Sequence, residues 1–148
     1  MVSTARYHNK IFFFFDVGAT RARPHRDRNF KGINRRTNFL TLVLQANHLF
    51  GSELYTDKYK PGLSEYELID QSIILEPGLF FTLDGTKTHW LLENDEACLQ
   101  EPCICLQWDI NKFPQYTDIE MLIDDICNEL CINNFEFLDY DDIKYKDE

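Results

Sequence analysis

The chain has 148 residues, 44% of them apolar and 14% aromatic, which is enough for one sizeable core and excludes a chain disordered throughout. Its net charge of −10 opposes general attraction to nucleic acid. No stretch approaches the apolar length of a membrane-spanning helix, so no membrane partner is expected.

Twelve phenylalanines and seven tyrosines favour strands. Residues 11–16 form a continuous apolar run and predict a strand buried on both faces. Residues 12–15 are too short a run, without the usual charged lead, for a secretory signal. Gly18 is expected to turn the chain. Residues 20–24 read as extended, because Pro24 biases Arg23 away from helix, and residues 29–35 as a polar loop. Residues 38–46 predict a strong strand, 51–57 a short strand or turn, and 58–62 a loop. Residues 67–75 are expected to form a strand interrupted near Asp70. Glu76-Pro77-Gly78 is a tight-turn signal. Residues 79–83 predict a strand, Asp84-Gly85 a turn, and residues 88–92 a strand carrying His89. Residues 93–97 read as an acidic loop and 102–110 as the last strong strand.

The periodicity then changes. Thr117 and Glu120 have the spacing of a capping box with Thr117 as the cap. Ile119, Leu122, Ile123, Ile126, Cys127 and Leu130 follow at helical spacing, with a solvated acidic face opposite. Residues 133–148 are acidic and aromatic, and Phe135 and Phe137 suggest an added edge strand. Short strands and frequent turns indicate a mainly β chain, sandwich or barrel. A jelly roll, the cupin-like double-stranded β-helix, suits this length. The expectation is one domain over residues 1–148, with a C-terminal amphipathic helix in an acidic extension from about residue 113.

The five cysteines are Cys98, Cys103, Cys105, Cys127 and Cys131. The odd count and missing signal predict free buried thiols in a reducing, cytoplasmic setting. Cys103 and Cys105 point to one face of their strand, and no Cys-x-x-Cys pair marks a structural zinc site.

The chemistry concentrates in Pro24-His25-Arg26-Asp27 and in His89. Residues two apart on a strand share a face, so His25 and Asp27 can reach one point. His89 closes the triangle if its strand lies opposite. Two imidazoles and one carboxylate hold Fe(II) on one face and leave the other positions open. The competing reading makes His-x-Asp a chance pair and His89, beside Trp90, a satisfied core residue. His8 and His48 are weaker candidates, expected at the surface.

Residues 1–36 carry nine basic against two acidic groups, whereas the remainder carries six against twenty-three. The cluster from Arg21 to Arg36 suits an anion: a carboxylate cosubstrate, an acidic peptide or a phosphate backbone. Its alternative role is pairing with the protein's own carboxylates. Nucleic acid is a partner only through this stripe.

Gly18 followed by Pro24-His25-Arg26-Asp27, the arginine pair before a strand, Glu76-Pro77-Gly78, the aspartate turn before His89, and the apolar strand ending Trp108-Asp109 together resemble the aspartyl/asparaginyl β-hydroxylase family. That family belongs to the Fe(II)- and 2-oxoglutarate-dependent oxygenases, and the similar stretch runs over residues 11–110. The resemblance implies a double-stranded β-helix with His25 and His89 as iron ligands. It implies Asp27 as the third, as in members that hydroxylate free proline; members acting on protein domains can lack it. The cosubstrate would be 2-oxoglutarate, and the reaction hydroxylation of an amino acid, a peptide side chain or a nucleotide.

One departure stands out. The family grips the far carboxylate of 2-oxoglutarate with an arginine shortly after the distal histidine, and residues 93–101 here contain no Arg or Lys. Arg36 and Arg35, at the start of the strand after His25, are the candidate substitutes, Arg36 being nearer the strand. Lys87 is a more distant one. The departure keeps two other readings open. One is a catalytically inactive β-helix fold acting as a partner-binding or inhibitor-like module. The other is a cupin-type metalloenzyme with a different cosubstrate.

Overall fold

The structure is a computed structural model that describes residues 2–6, 12–19, 21–26, 38–94, 102–110, 113 and 115–138. The described strands are β1 (Val2–Arg6), β2 (Phe12–Ala19), β3 (Ala22–His25), β4 (Asn38–Gln45), β5 (His48–Ser52), β6 (Ile73–Ile74), β7 (Leu79–Asp84), β8 (His89–Glu93), β9 (Cys103–Asp109) and β10 (Glu136–Leu138). Two helices join them, α1 (Glu65–Asp70) and α2 (Ile119–Leu130). The strands form a larger sheet in the order β1-β2-β9-β4-β7-β10 and a smaller one in the order β3-β8-β5-β6. The chain is thus mainly β, with two sheets. No helix among the described residues is long and apolar enough to cross a membrane.

The pairing is nested. β2 pairs with β9, β3 with β8, β4 with β7, and β5 with β6, all antiparallel. Two further antiparallel pairs, β4–β9 and β5–β8, complete the sheets. β10 adds parallel to β7 at the edge of the larger sheet, near Phe135 and Phe137 as the sequence suggests.

In the larger sheet, β4, β7 and β9 are covered on both sides, which is why these strands read as apolar runs instead of alternating. Leu40, Leu42, Phe80, Leu106 and Trp108 pack outward against Leu122, Ile123 and Ile126 of α2. Val43, Phe81, Leu83, Cys103 and Cys105 face inward and cluster with Phe50 and Leu75. Cys103 and Cys105 share this inner face, their Sγ atoms 3.7 Å apart. Each fully buried Leu, Ile or Phe side chain contributes about 1.5–3 kcal/mol, so the helix-covered face is a principal source of stability.

Several expectations are corrected. Gly18 does not turn the chain; β2 runs through it to Ala19. β1 precedes it, unanticipated from sequence. The interrupted strand over 67–75 is instead α1 followed by the two-residue β6. Ser64 begins α1 with a capping box: its side chain accepts from the Glu67 amide, and Glu67 reaches back to the Ser64 amide. A helix with one buried residue, Leu68, leaves too faint an apolar stripe to be read from spacing. Ser64→Ala is expected to lower stability by about 1 kcal/mol, read as a shifted urea midpoint with an unchanged slope. At α2 the cap is Asp118, not Thr117, its carboxylate accepting from the Glu120 amide. Cys131 is exposed, so the thiols are not all buried. The Glu76-Pro77-Gly78 turn is present: Gly78 has φ +90°, and the Leu79 amide donates to the Glu76 carbonyl at 3.1 Å.

Candidate metal centre at two cross-strand histidines

His25 ends β3 and His89 begins β8, and the two are direct cross-strand partners. Their ring centroids lie 4.3 Å apart with planes inclined at 57°. The register explains how they meet. Ala22 pairs with Leu91 and His25 with His89, three steps on one strand against two on the other. Such a bulge re-aims the side chain beyond it. It turns His25 to the face that His89 occupies, which simple alternation from Ala22 does not.

Both rings are held in the same way. His25 Nδ1 donates to the Arg23 carbonyl at 2.6 Å, and His89 Nδ1 to the Lys87 carbonyl at 2.8 Å. A carbonyl only accepts, so each neutral ring carries its proton on Nδ1 and its lone pair on Nε2. This is the arrangement that prepares imidazole for a metal: the backbone fixes the tautomer and the ring plane. Nitrogens bound at about 2.1 Å, roughly at right angles about one ion, place ring centroids about 4.5 Å apart. The observed separation fits that donor pair.

A clamp on the adjoining backbone holds the two strand ends together. Glu53 Oε1 accepts from the Thr88 amide at 2.9 Å, and the Glu53 amide donates to the Thr88 carbonyl at 2.9 Å. Arg26, directly after His25, donates to Thr88 Oγ1 at 3.3 Å and to Glu53 Oε1 at 3.5 Å. The clamp therefore spans the residue after one histidine and the residue before the other. Nothing in the spacing of Glu53 announces this, because the contact exists only once β5 and β8 are paired.

The histidines open onto a cavity of about 220 Å³ between the sheets. His25 is exposed at its rim and His89 is buried. Phe50 stands 6.5 Å from the His89 ring and 4.8 Å from Phe81, centroid to centroid.

Asp27, Arg35 and Arg36 lie outside the described residues, as does His8. Among the described residues, no group of three metal-ligating side chains assembles. His48 is no surface residue: it is fully buried on β5. It pairs with Glu93 at the end of β5 away from Ser52, the partner of His89. Its Nδ1 accepts from the Asn47 amide at 3.1 Å, the opposite tautomer to the other two. Of the basic cluster, Arg21 pairs with Glu65 at 2.6 Å, and Arg26 with Glu53. Both pairs are substantially exposed and contribute little stability. The side chain of Lys87 is exposed, and its carbonyl is the part that serves His89.

No family model, curated protein or solved structure matches this chain.

Proposed function

We propose that this protein is an Fe(II)- and 2-oxoglutarate-dependent hydroxylase on a double-stranded β-helix, acting on an amino acid, a peptide side chain or a nucleotide. The observation that carries the reading is the pair of imidazoles, brought side by side across β3 and β8 with both Nδ1 atoms committed to backbone carbonyls.

The strand order supports the fold half of the proposal. Take one long antiparallel ribbon with β2 and β9 at its open end and β5 and β6 at its tip. Rolling it on itself leaves β2, β9, β4 and β7 in one sheet and β3, β8, β5 and β6 in the other. That is how a jelly roll arises. His25 and His89 then sit on one rung of the ribbon.

In this reading His25 and His89 hold the metal, and Asp27 supplies the carboxylate. Arg36 or Arg35, preceding β4, receives the far carboxylate of 2-oxoglutarate. O2 is the oxidant; Fe(II) held there would activate it, with 2-oxoglutarate as the two-electron co-reductant lost as succinate and CO2, one oxygen atom going to the C–H bond and the other to succinate. The chain's own contribution is orientation and exclusion of water. The Arg23 and Lys87 carbonyls aim the rings, the Glu53–Arg26–Thr88 clamp fixes their spacing, and Phe50 and Phe81 shield the buried His89 side of the site. A cytoplasmic setting accords with cysteines that form no disulfide among the described residues.

The test is uncoupled turnover. Protein purified anaerobically, then given Fe(II), 2-oxoglutarate and oxygen, is expected to form succinate, and His89→Ala none. Metal binding without succinate would sink the hydroxylase and leave a metal-binding module. The clamp has its own test. Glu53→Ala is expected to weaken Co(II) binding by about 10–100-fold while the circular dichroism spectrum stays unchanged. Unaltered affinity would show that the clamp does not set the imidazole spacing.

A further inference from the structure

The cavity behind the imidazoles has a chemical character of its own. Ten of its fourteen described lining residues are apolar, among them Phe39, Phe50, Phe81 and Leu83. Its polar members besides the histidines are Thr41 and Gln107, and these hydrogen-bond to each other, Gln107 Nε2 to Thr41 Oγ1 at 3.4 Å. All four polar members are uncharged or only weakly basic groups, so no carboxylate, Lys or Arg among the described lining residues balances a buried ion, and burying one against such walls is costly. Contact with aromatic faces instead rewards an apolar one. An apolar cavity of about 150 Å³ is known to hold benzene. This one, at about 220 Å³, has room for a substituted ring or a branched aliphatic group.

We propose that the cavity takes a neutral, apolar ligand of about that size, seated on the Phe39–Phe50–Phe81 wall with one edge at His25 and His89. Binding itself does not depend on the hydroxylase reading. Only the statement that this ligand is the group to be hydroxylated rests on it, and it narrows the substrate to an apolar side chain or ring.

Toluene and benzoate are matched probes, nearly equal in shape and differing in charge. Calorimetry on the metal-free full-length chain is expected to show saturable toluene binding with a negative heat-capacity change. Benzoate should bind at least about tenfold more weakly. Cys105→Leu and Leu83→Phe each place extra atoms in the cavity and should weaken toluene by about tenfold or more. Ile74→Ser, on the exposed side of β6, should leave it unchanged. The proposal is overturned if toluene fails to saturate, if benzoate binds more tightly, or if both folded filling variants bind toluene like the wild type. A parallel Co(II) titration separates the two readings. Toluene without Co(II) binding removes the metal centre and keeps the apolar site, and Co(II) without toluene does the reverse.

Discussion

His89→Ala is expected to abolish metal binding while leaving the fold in place. The loss should exceed the roughly hundredfold drop that follows removal of a mere orienting partner, because a donor atom itself is gone. The fold should survive for reasons visible in the sheet. β8 is hydrogen-bonded to β3 on one side and to β5 on the other, and neither ladder uses the imidazole. The ring's own hydrogen bond is worth about 1 kcal/mol, and its removal enlarges a cavity that already exists. Co(II) titration by visible absorption, beside a thermal melt, reads both halves. His25→Ala should match it in binding, and the double variant should be no worse than either, since the two act as one unit. Wild-type affinity retained in a folded His89→Ala protein would remove the basis of the proposed function.

Gly51→Ala is expected to be the most damaging small substitution in the described chain. A Cβ at this position would lie 2.1–2.3 Å from Cε2, Cζ2 and Nε1 of Trp90. Gly51 and Trp90 face each other across β5 and β8 on the side covered by α1, so the indole lies directly over the glycine. The indole has nowhere to go. It is fully buried, its Nε1 donates to Ser72 Oγ at 2.8 Å, and Tyr59 stacks on it at 5.3 Å. Overpacking of this severity costs about 3 kcal/mol or more, against a total stability of order 5–15 kcal/mol. Urea denaturation should show a large fall in midpoint, and Trp90→Phe in the same background should recover part of it. An alanine variant as stable as the wild type would mean that the indole is not pinned as described. The consequence reaches the histidines, because Ser52, next to Gly51, is the partner of His89.

Elements whose cues are local were legible. The strands at β4 and β9 follow from apolar runs, β7 and β8 from runs set off by Pro77-Gly78 and Asp84-Gly85, and α2 from six apolar residues at helical spacing. Elements with weak or misleading local cues were misread. The Ser64–Glu67 box was as explicit as any capping signal, but α1 buries only Leu68 and lacks a stripe to confirm it. His48 followed a polar Asn47 and looked like a loop residue. In the fold its Nδ1 accepts from the Asn47 amide, and the residue is fully buried.

Composition, periodicity and turn chemistry over a few residues suffice for the mainly β character and the C-terminal amphipathic helix, and they single out His25 and His89 as candidates. That the two imidazoles stand 4.3 Å apart, on the same face, above an apolar cavity emerges only once the strands are paired. The reason is that their meeting depends on cross-strand register. One bulged residue in β3 and the nesting of strands far apart in the chain set that register, and neither leaves a trace in the residues around either histidine.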